Sequence, residues 1–448
     1  MEMNLGADKI SKLFMKYFIP TAAAMVVTAL YIIVDGMFVG KGVGSDGVAA
    51  VGIVVPVFTI FQSVQFLLGV GGSTVASIAL AKNDKKHANN VFLQSTLIVV
   101  IIMSIVTIIS LIFTEEIAIL MGANEEILPN VKTYFRTMVS YAIFTTLNPT
   151  WSFFVRLDGS PKYSMVSMIC GAVTNVILDY VFIFPMQMGI FGAALATGIG
   201  HITSILIFIY YFTKKSKSFS FTKFSLNLKD IKRVLNIGIP GFITNIFTAI
   251  TMISFNVVIM HRLGKDGVTT YGVINYLHPL IVFLFMSIGQ SIQPIASFNY
   301  GIKNKERMKE VYIFGQKVAV VMGVFFTLIG ILGSKSLVGL FIDKSSTAYS
   351  LAVTSIPLFY LNYIFYGINS VAVSYYQSIE EAKKANFITL GRGFLFIIVG
   401  IIILPNIFGN TGIWITTPFA EILGLGMVGY YIFKDFIAGT GEEKFKLV

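Results

Sequence analysis

The feature that most constrains this 448-residue chain is that it matches itself at one constant shift. Pro240 stands 220 residues (240 − 20) beyond Pro20. At the same offset Gly44-Ser45-Asp46-Gly47-Val48 falls on Gly264-Lys265-Asp266-Gly267-Val268. Gly52 meets Gly272, Gly69 meets Gly289, and Ala76-Ser77 meets Ala296-Ser297. Val91 falls on Val311, Pro185 on Pro405, Gly189 on Gly409, Gly192 on Gly412 and Thr197 on Thr417. Single glycine or proline matches are cheap; an ungapped register from the first proline pair to the last threonine pair is not. The two halves read as copies of one structural unit.

What such a unit can be follows from its polarity. Hydrophobic residues make up 55% of the chain and charged residues 12%, about half the charge of a soluble domain. Mean hydropathy is +0.80. The stretches 96–113 and 189–212 contain no Asp, Glu, Lys or Arg, and about 20 apolar residues cross a hydrocarbon core. The pattern predicts an all-α polytopic membrane protein. Twelve spans are expected, at roughly 13–40, 49–79, 91–113, 131–155, 163–184, 190–213, 233–262, 269–299, 311–333, 351–377, 386–404 and 411–434. Six per half is even, so both copies enter from one side as parallel repeats, an arrangement typical of transporters. The expected division is an amino-terminal six-helix bundle at 1–213, a linker at 214–232 and a carboxy-terminal bundle at 233–448.

The net charge of +11 does not imply nucleic-acid binding, because the cations sit mainly in alternate loops. Lys9, Lys12 and Lys16, then Lys82, Lys85 and Lys86, then Arg156 and Lys162, mark one side. The linker adds Lys214, Lys215, Lys217, Lys223, Lys229, Lys232 and Arg233; Lys303, Lys305, Arg307 and Lys309 follow span eight. The other side carries Glu115, Glu116, Glu125 and Glu126, with Lys41, Lys132, Arg136, Arg262, Lys265, Lys335 and Lys344 as exceptions. The majority places both termini in the cytoplasm of a plasma (inner) membrane protein. The first apolar run is long enough to be a span in its own right, not a cleaved signal. Cys170 is the single cysteine, so no intrachain disulfide forms. The linker has two readings: a strap on the lipid surface, or a plain cytoplasmic connector, which ordinary basic loops favour.

Acids inside spans are costly, on the order of 2.5–3.5 kcal/mol at the centre, and therefore worth naming. Three stand out: Asp35 in span one, Asp179 in span five and Glu421 in span twelve. Asn175 precedes Asp179 by four residues and shares its helical face. At the 220 offset the two aspartates meet Phe255 and Val399, so the scaffold is duplicated and these acids are not. A carboxyl group in apolar surroundings can carry a proton; two of them with an amide and a hydroxyl oxygen could instead ligate Na⁺. The residues do not separate the two ions. Tyr31, one turn before Asp35, is the candidate ligand contact, since aromatic faces suit lipophilic cations. Glu421 could meet a cationic substrate or take a second proton, and an interhelical hydrogen bond is an equal alternative. His278 reads as a structural histidine, and Arg392 and Lys317 as cations that snorkel from span ends. Pro20 removes a backbone hydrogen bond and permits a bend, about 22 Å along a straight helix from Asp35. No P-loop, Gly-x-Ser-x-Gly, His-Glu-x-x-His or cysteine–histidine cluster is present, so the chain is not expected to be an enzyme and needs no cofactor beyond a coupling ion.

With these residues in place, the chain resembles the multidrug and toxic compound extrusion (MATE) family, in its bacterial multidrug-exporter branch. The resemblance rests on Val34-Asp35-Gly36-Met-Phe-Val-Gly40, on Asn175-Val-Ile-Leu-Asp179 with Gly192-Ala-Ala-Leu-Ala-Thr197, and on Gln293-Pro294-Ile-Ala-Ser-Phe-Asn299-Tyr-Gly301. It implies twelve helices in two bundles around a central cleft, and antiport of drugs against cations. The coupling-cation pattern of archaeal relatives maps onto Asp35, Asn175, Asp179 and Thr197, and Pro20 falls where relatives bend the first helix. A branch that uses acids in helices seven, eight and ten is not matched, because those spans contain none. The implied partners are small organic cations and membrane lipid, with no nucleic acid and no obligate protein partner. The rival function is a flippase for a lipid-linked intermediate, which requires a cationic cleft. An ion channel requires a repeated filter motif that the chain lacks.

Overall fold

Residues 4–437 are described in the computed structural model, and no strand occurs among them. The end of the expected second half, from residue 438 on, lies outside the described residues. Eight helices precede a non-helical connection at 215–227, and a long ninth follows it. These are α1 (Ile10–Gly42), α2 (Ser45–Ala81), α3 (Lys85–Ile112), α4 (Thr114–Leu120), α5 (Leu128–Ser140), α6 (Ala142–Leu157), α7 (Pro161–Ile183), α8 (Gly189–Lys214) and α9 (Leu228–Gly301). Then follow α10 (Lys305–Gly339), α11 (Thr347–Tyr360), α12 (Asn362–Ser378), α13 (Ala382–Leu390), a π-helical turn at Gly391–Leu395, α14 (Phe396–Ile407), α15 (Thr411–Trp414) and α16 (Thr416–Ile432).

The backbone obeys the same 220-residue repeat as the sequence. Gly44 (φ 91°) separates α1 from α2, and Gly264 (φ 58°) breaks α9 at the equivalent point. Asn83 and Lys303 both take positive φ, as do Gly189 and Gly409. Asp84 caps α3 by accepting from the His87 N–H at 2.9 Å, and Asn304 caps α10 by accepting from the Arg307 N–H at 3.1 Å. The helical interruptions at Tyr141 and Leu361 also correspond. Span four is thus α5 with α6, and span ten is α11 with α12. The 74-residue α9 holds spans seven and eight on either side of Gly264.

Among the described residues, nine helices are long and apolar enough to cross a membrane. Broken spans explain the shortfall from twelve: α9 counts once for two crossings, and the spans at 131–155 and 411–434 are interrupted at Tyr141 and Ile415. The packing has the polarity of a membrane bundle. On α10 the large residues Val321, Phe325, Leu328 and Leu332 are exposed, while Ala319, Gly323, Thr327, Gly330 and Ser334 are buried. Small residues inside let backbones approach, which is how helices associate where lipid offers no hydrophobic drive.

The chain divides into two units, residues through Asn245 with Ser297–Lys303, and Ile246–Ala296 with the residues from Asn304 on. The first unit therefore takes in the start of α9, beyond the expected boundary near 233. Glycines explain why: a Cβ on Gly238 would stand 1.9 Å from the Leu67 carbonyl oxygen, and one on Gly71 would stand 2.1 Å from that of Val234. Backbone contact that close welds the opening turns of α9 to α2. An aromatic core of Phe92, Trp151, Phe154 and Phe212 fills this unit, with Phe92 and Phe212 centroids 4.6 Å apart. The second unit buries Tyr360, Tyr363 and Phe285, and Thr327 on α10 donates to the Tyr360 carbonyl at 2.9 Å.

Candidate functional site

In the first unit, α1, α7 and α8 converge because small residues line their contacts. A Cβ on Gly171 would lie 2.7 Å from the Gly200 carbonyl oxygen, and one on Gly200 would lie 2.8 Å from that of Gly171. One turn away, Ser167 and Ser204 donate to each other's carbonyls, both at 2.9 Å. Gly42 of α1 abuts Ile183 of α7. These contacts leave no room for larger side chains and hold the three helices close.

The polar residues expected to act together are brought together by this packing. Asn175 donates from Nδ2 to Thr197 Oγ1 at 3.2 Å. Asp179 is fully buried, and the carboxyl groups of Asp35 and Asp179 lie near enough to interact with each other. Asp35 Oδ1, both Asp179 oxygens and Asn175 Oδ1 are buried and accept from no N–H or hydroxyl. No Lys, Arg or His forms an ion pair with either aspartate among the described residues. Such an arrangement, several inward oxygens and no basic partner, fits a proton shared between carboxyls or a hard cation held by oxygen ligands. No group of three or more His, Cys, Asp or Glu that could hold a metal ion lies together among the described residues.

Tyr31 lies within electrostatic range of both carboxyls, and so does Tyr134 of α5, which the sequence reading did not single out. A further pair extends the polar line: Asn148 of α6 meets His201 Nδ1 at 3.0 Å, and His201 is one turn beyond Thr197 on α8. The Thr197–His201 spacing was the available signal, whereas nothing in the neighbourhood of Tyr134 or Asn148 marks them.

Pro20 is buried inside an α1 that runs helically through it to Gly42. Glu421 sits in the second unit, paired with a buried cation and an amide. Arg392 Nη1 donates to its Oε1 at 2.9 Å and Oε2 at 3.1 Å, and Asn369 donates to Oε2 at 2.6 Å and to the Glu421 carbonyl at 2.8 Å. The geometry supports the interhelical alternative for Glu421, because its charge is already matched. Arg392 corrects the expectation of snorkelling. It is 7% exposed, stands on the π-helical turn and stacks 5.0 Å from the Tyr366 ring. His278 bonds Tyr363 at 2.9 Å, as a structural histidine should. Arg156, read as a loop cation, is buried with its guanidinium 4.6 Å from the Phe153 ring.

The MatE family model matches residues 20–181 and 240–403, two stretches that begin at the two repeat prolines and cover most of the chain. The chain belongs to the MatE family. It is 27% identical over 439 residues to the multidrug export protein MepA of Staphylococcus aureus strain MRSA252, covering 95% of this chain and 94% of that one. Its fold is similar to that of a multidrug resistance MATE family transporter of the MOP superfamily in its outward-facing conformation. The TM-score is 0.89 at 23% identity, over 95% of this chain and 96% of that one. It is also similar to a MOP superfamily transporter from Pyrococcus furiosus, with a TM-score of 0.89 at 24% identity over 96% and 97% of the chains. These neighbours bear out the twelve-helix membrane fold.

Proposed function

We propose that this chain is a plasma-membrane antiporter, both termini cytoplasmic, that exports lipophilic organic cations against inward H⁺ or Na⁺. The observation that carries the reading is the Asp35–Asp179 pair. Two carboxyls held against one another with no basic partner cannot both stay ionised without a cation between them. Asn175 and Thr197 add an amide and a hydroxyl oxygen, so either ion has ligands there. Support for the substrate comes from the relative, named as a multidrug export protein, and from the acidic character of the unpaired groups.

In the proposed cycle the ion binds Asp35 and Asp179 in the outward-open state, weakens the hold on the drug, and leaves on the inward side. Tyr31 offers the drug an aromatic face. Pro20 would give α1 a place to bend, through packing, since it is too far from Asp35 for direct contact. The deciding experiment is dye efflux from proteoliposomes under separate pH and Na⁺ gradients. Efflux should follow one of the gradients, and Asp35→Asn should reduce it to the level of empty liposomes while the protein stays folded. Efflux unaltered in Asp35→Asn would refute the assignment. Transport of lipid-linked anions with no response to either gradient would favour a flippase.

A further inference from the structure

The connection between α8 and α9 has no helix of its own, yet it is fastened along its length to the first unit. At its start Asp158 Oδ2 accepts from Ser216 Oγ at 2.7 Å and from the Lys217 N–H at 3.0 Å. Then two asparagines on the first turns of α3 take over the backbone. Asn89 accepts from the Ser220 N–H at 2.7 Å and donates to Thr222 Oγ1 at 2.9 Å. Asn90 satisfies both backbone groups of Ser225, accepting from its N–H and donating to its carbonyl at 2.9 Å each. Gln94 accepts from the Asn227 N–H at 2.9 Å, and His87 meets Asp230 at 3.0 Å. One neutral side-chain amide after another does for this segment what a neighbouring strand does in a sheet.

The fastening sorts its side chains. Phe219 is buried between Phe92 and Phe154, both 5.5 Å from it by ring centroid, and Phe221 leans on Trp151 at 5.7 Å. Phe224, Leu226 and Leu228, at alternate positions, are 39%, 65% and 79% exposed. Alternation in an extended chain puts Phe224 and Leu226 on one side, and Leu228 follows as the first residue of α9. Lys223 and Lys229 flank this apolar row and are exposed, with Lys82, Lys85 and Lys86 on the neighbouring turn. The acid within the segment, Asp230, is occupied by His87.

The height of the row matters. Gln94 precedes Ile101 by seven residues, about 10 Å along the helix. Ile101, Ile105 and Ile108 begin the exposed apolar face of α3 that meets lipid. The strap therefore runs beside the headgroup layer, which is several ångströms deep on each side of the hydrocarbon. Large apolar side chains rimmed by lysines at that depth match an anionic lipid surface: acyl chains for the row, phosphates for the ammonium groups.

We propose that the strap at 216–227, together with the first turn of α9, is a seat for anionic phospholipids of the cytoplasmic leaflet, with Phe224, Leu226 and Leu228 entering the interface and Lys223 and Lys229 holding phosphates. The inference does not depend on which ion couples transport. The test places a fluorophore by Leu226→Trp in the full chain, with the signal of Trp151 and Trp414 subtracted using the parent protein. Leu228→Trp serves as the second probe position should the first not fold. In nanodiscs of phosphatidylcholine with one brominated lipid, the new tryptophan should be quenched by lipid and shielded from aqueous iodide. Brominated phosphatidylglycerol should quench more strongly than brominated phosphatidylcholine at equal mole fraction, because each lysine near the surface favours anionic lipid by about five-fold in binding. Lys223→Gln with Lys229→Gln should remove that preference and leave quenching by the neutral lipid. Quenching by iodide instead, protection from both quenchers as under a protein partner, or a lipid preference that survives the lysine changes would each overturn the proposal.

Discussion

Asp35 and Glu421 are both acids within spans, and the structure treats them in opposite ways. Asp35 meets another acid, while Glu421 meets Arg392. Removing one charge should therefore have opposite consequences. Glu421→Gln strands the Arg392 guanidinium in a buried place, and breaking such a pair costs about 3–5 kcal/mol. The melting temperature in detergent should fall sharply, and the Glu421→Met, Arg392→Met double change should recover most of the loss. A Glu421→Gln protein that is fully stable yet inactive would instead give this residue the substrate role. Asp35→Asn relieves a repulsion and should leave stability unchanged or raised while efflux is lost. The sequence made Asp35, Asn175 and Asp179 legible because intramembrane acids and i, i+4 spacing are visible in one dimension. It could not show the Arg392–Glu421 pair, because two residues on separate helices carry no sign of facing each other.

At the scale of elements, glycines set how closely helices approach. Gly200→Val would drive a branched side chain into the Gly171 carbonyl and the Asn175 Cβ, 2.8 and 3.0 Å from the added Cβ. Overpacking of this kind costs about 1–3 kcal/mol. It should also part Asn175 from Thr197, so efflux should fall further than melting temperature alone explains. Gly36→Ala, where a Cβ would meet nothing within 4 Å, is the control and should be tolerated. Gly264 tests the backbone itself: at φ 58°, ψ −149° a side chain is strained, and Gly264→Ala should destabilise by about 1–3 kcal/mol. Equal stability in Gly264→Ala, read by thermal melting, would contradict the break seen there. The strap explains a different limit of sequence reading. The short alternation at Phe224 and Leu226 gives no sign of what holds residues 215–227, since their order comes from Asn89, Asn90 and Gln94, more than a hundred positions away. Asn90→Ala should expose this segment to protease before the rest of the chain.

For the whole molecule, duplication of the scaffold and singularity of the acids belong to one account. The repeat reaches into turn geometry and helix caps, as Gly44 and Gly264 or Asp84 and Asn304 show. The acids of the proposed ion site have no counterparts at the 220 offset, where Phe255 and Val399 stand. In the proposed cycle a cation held by Asp35 and Asp179 acts by linkage, so what it does to drug affinity the drug must do to cation affinity. Dye affinity of the purified protein, measured against pH and separately against Na⁺, reads that linkage directly. The account requires affinity to fall as one of these ions rises, and to become indifferent to it when Asp35→Asn and Asp179→Asn are combined. An unchanged ion dependence in that double variant would contradict it.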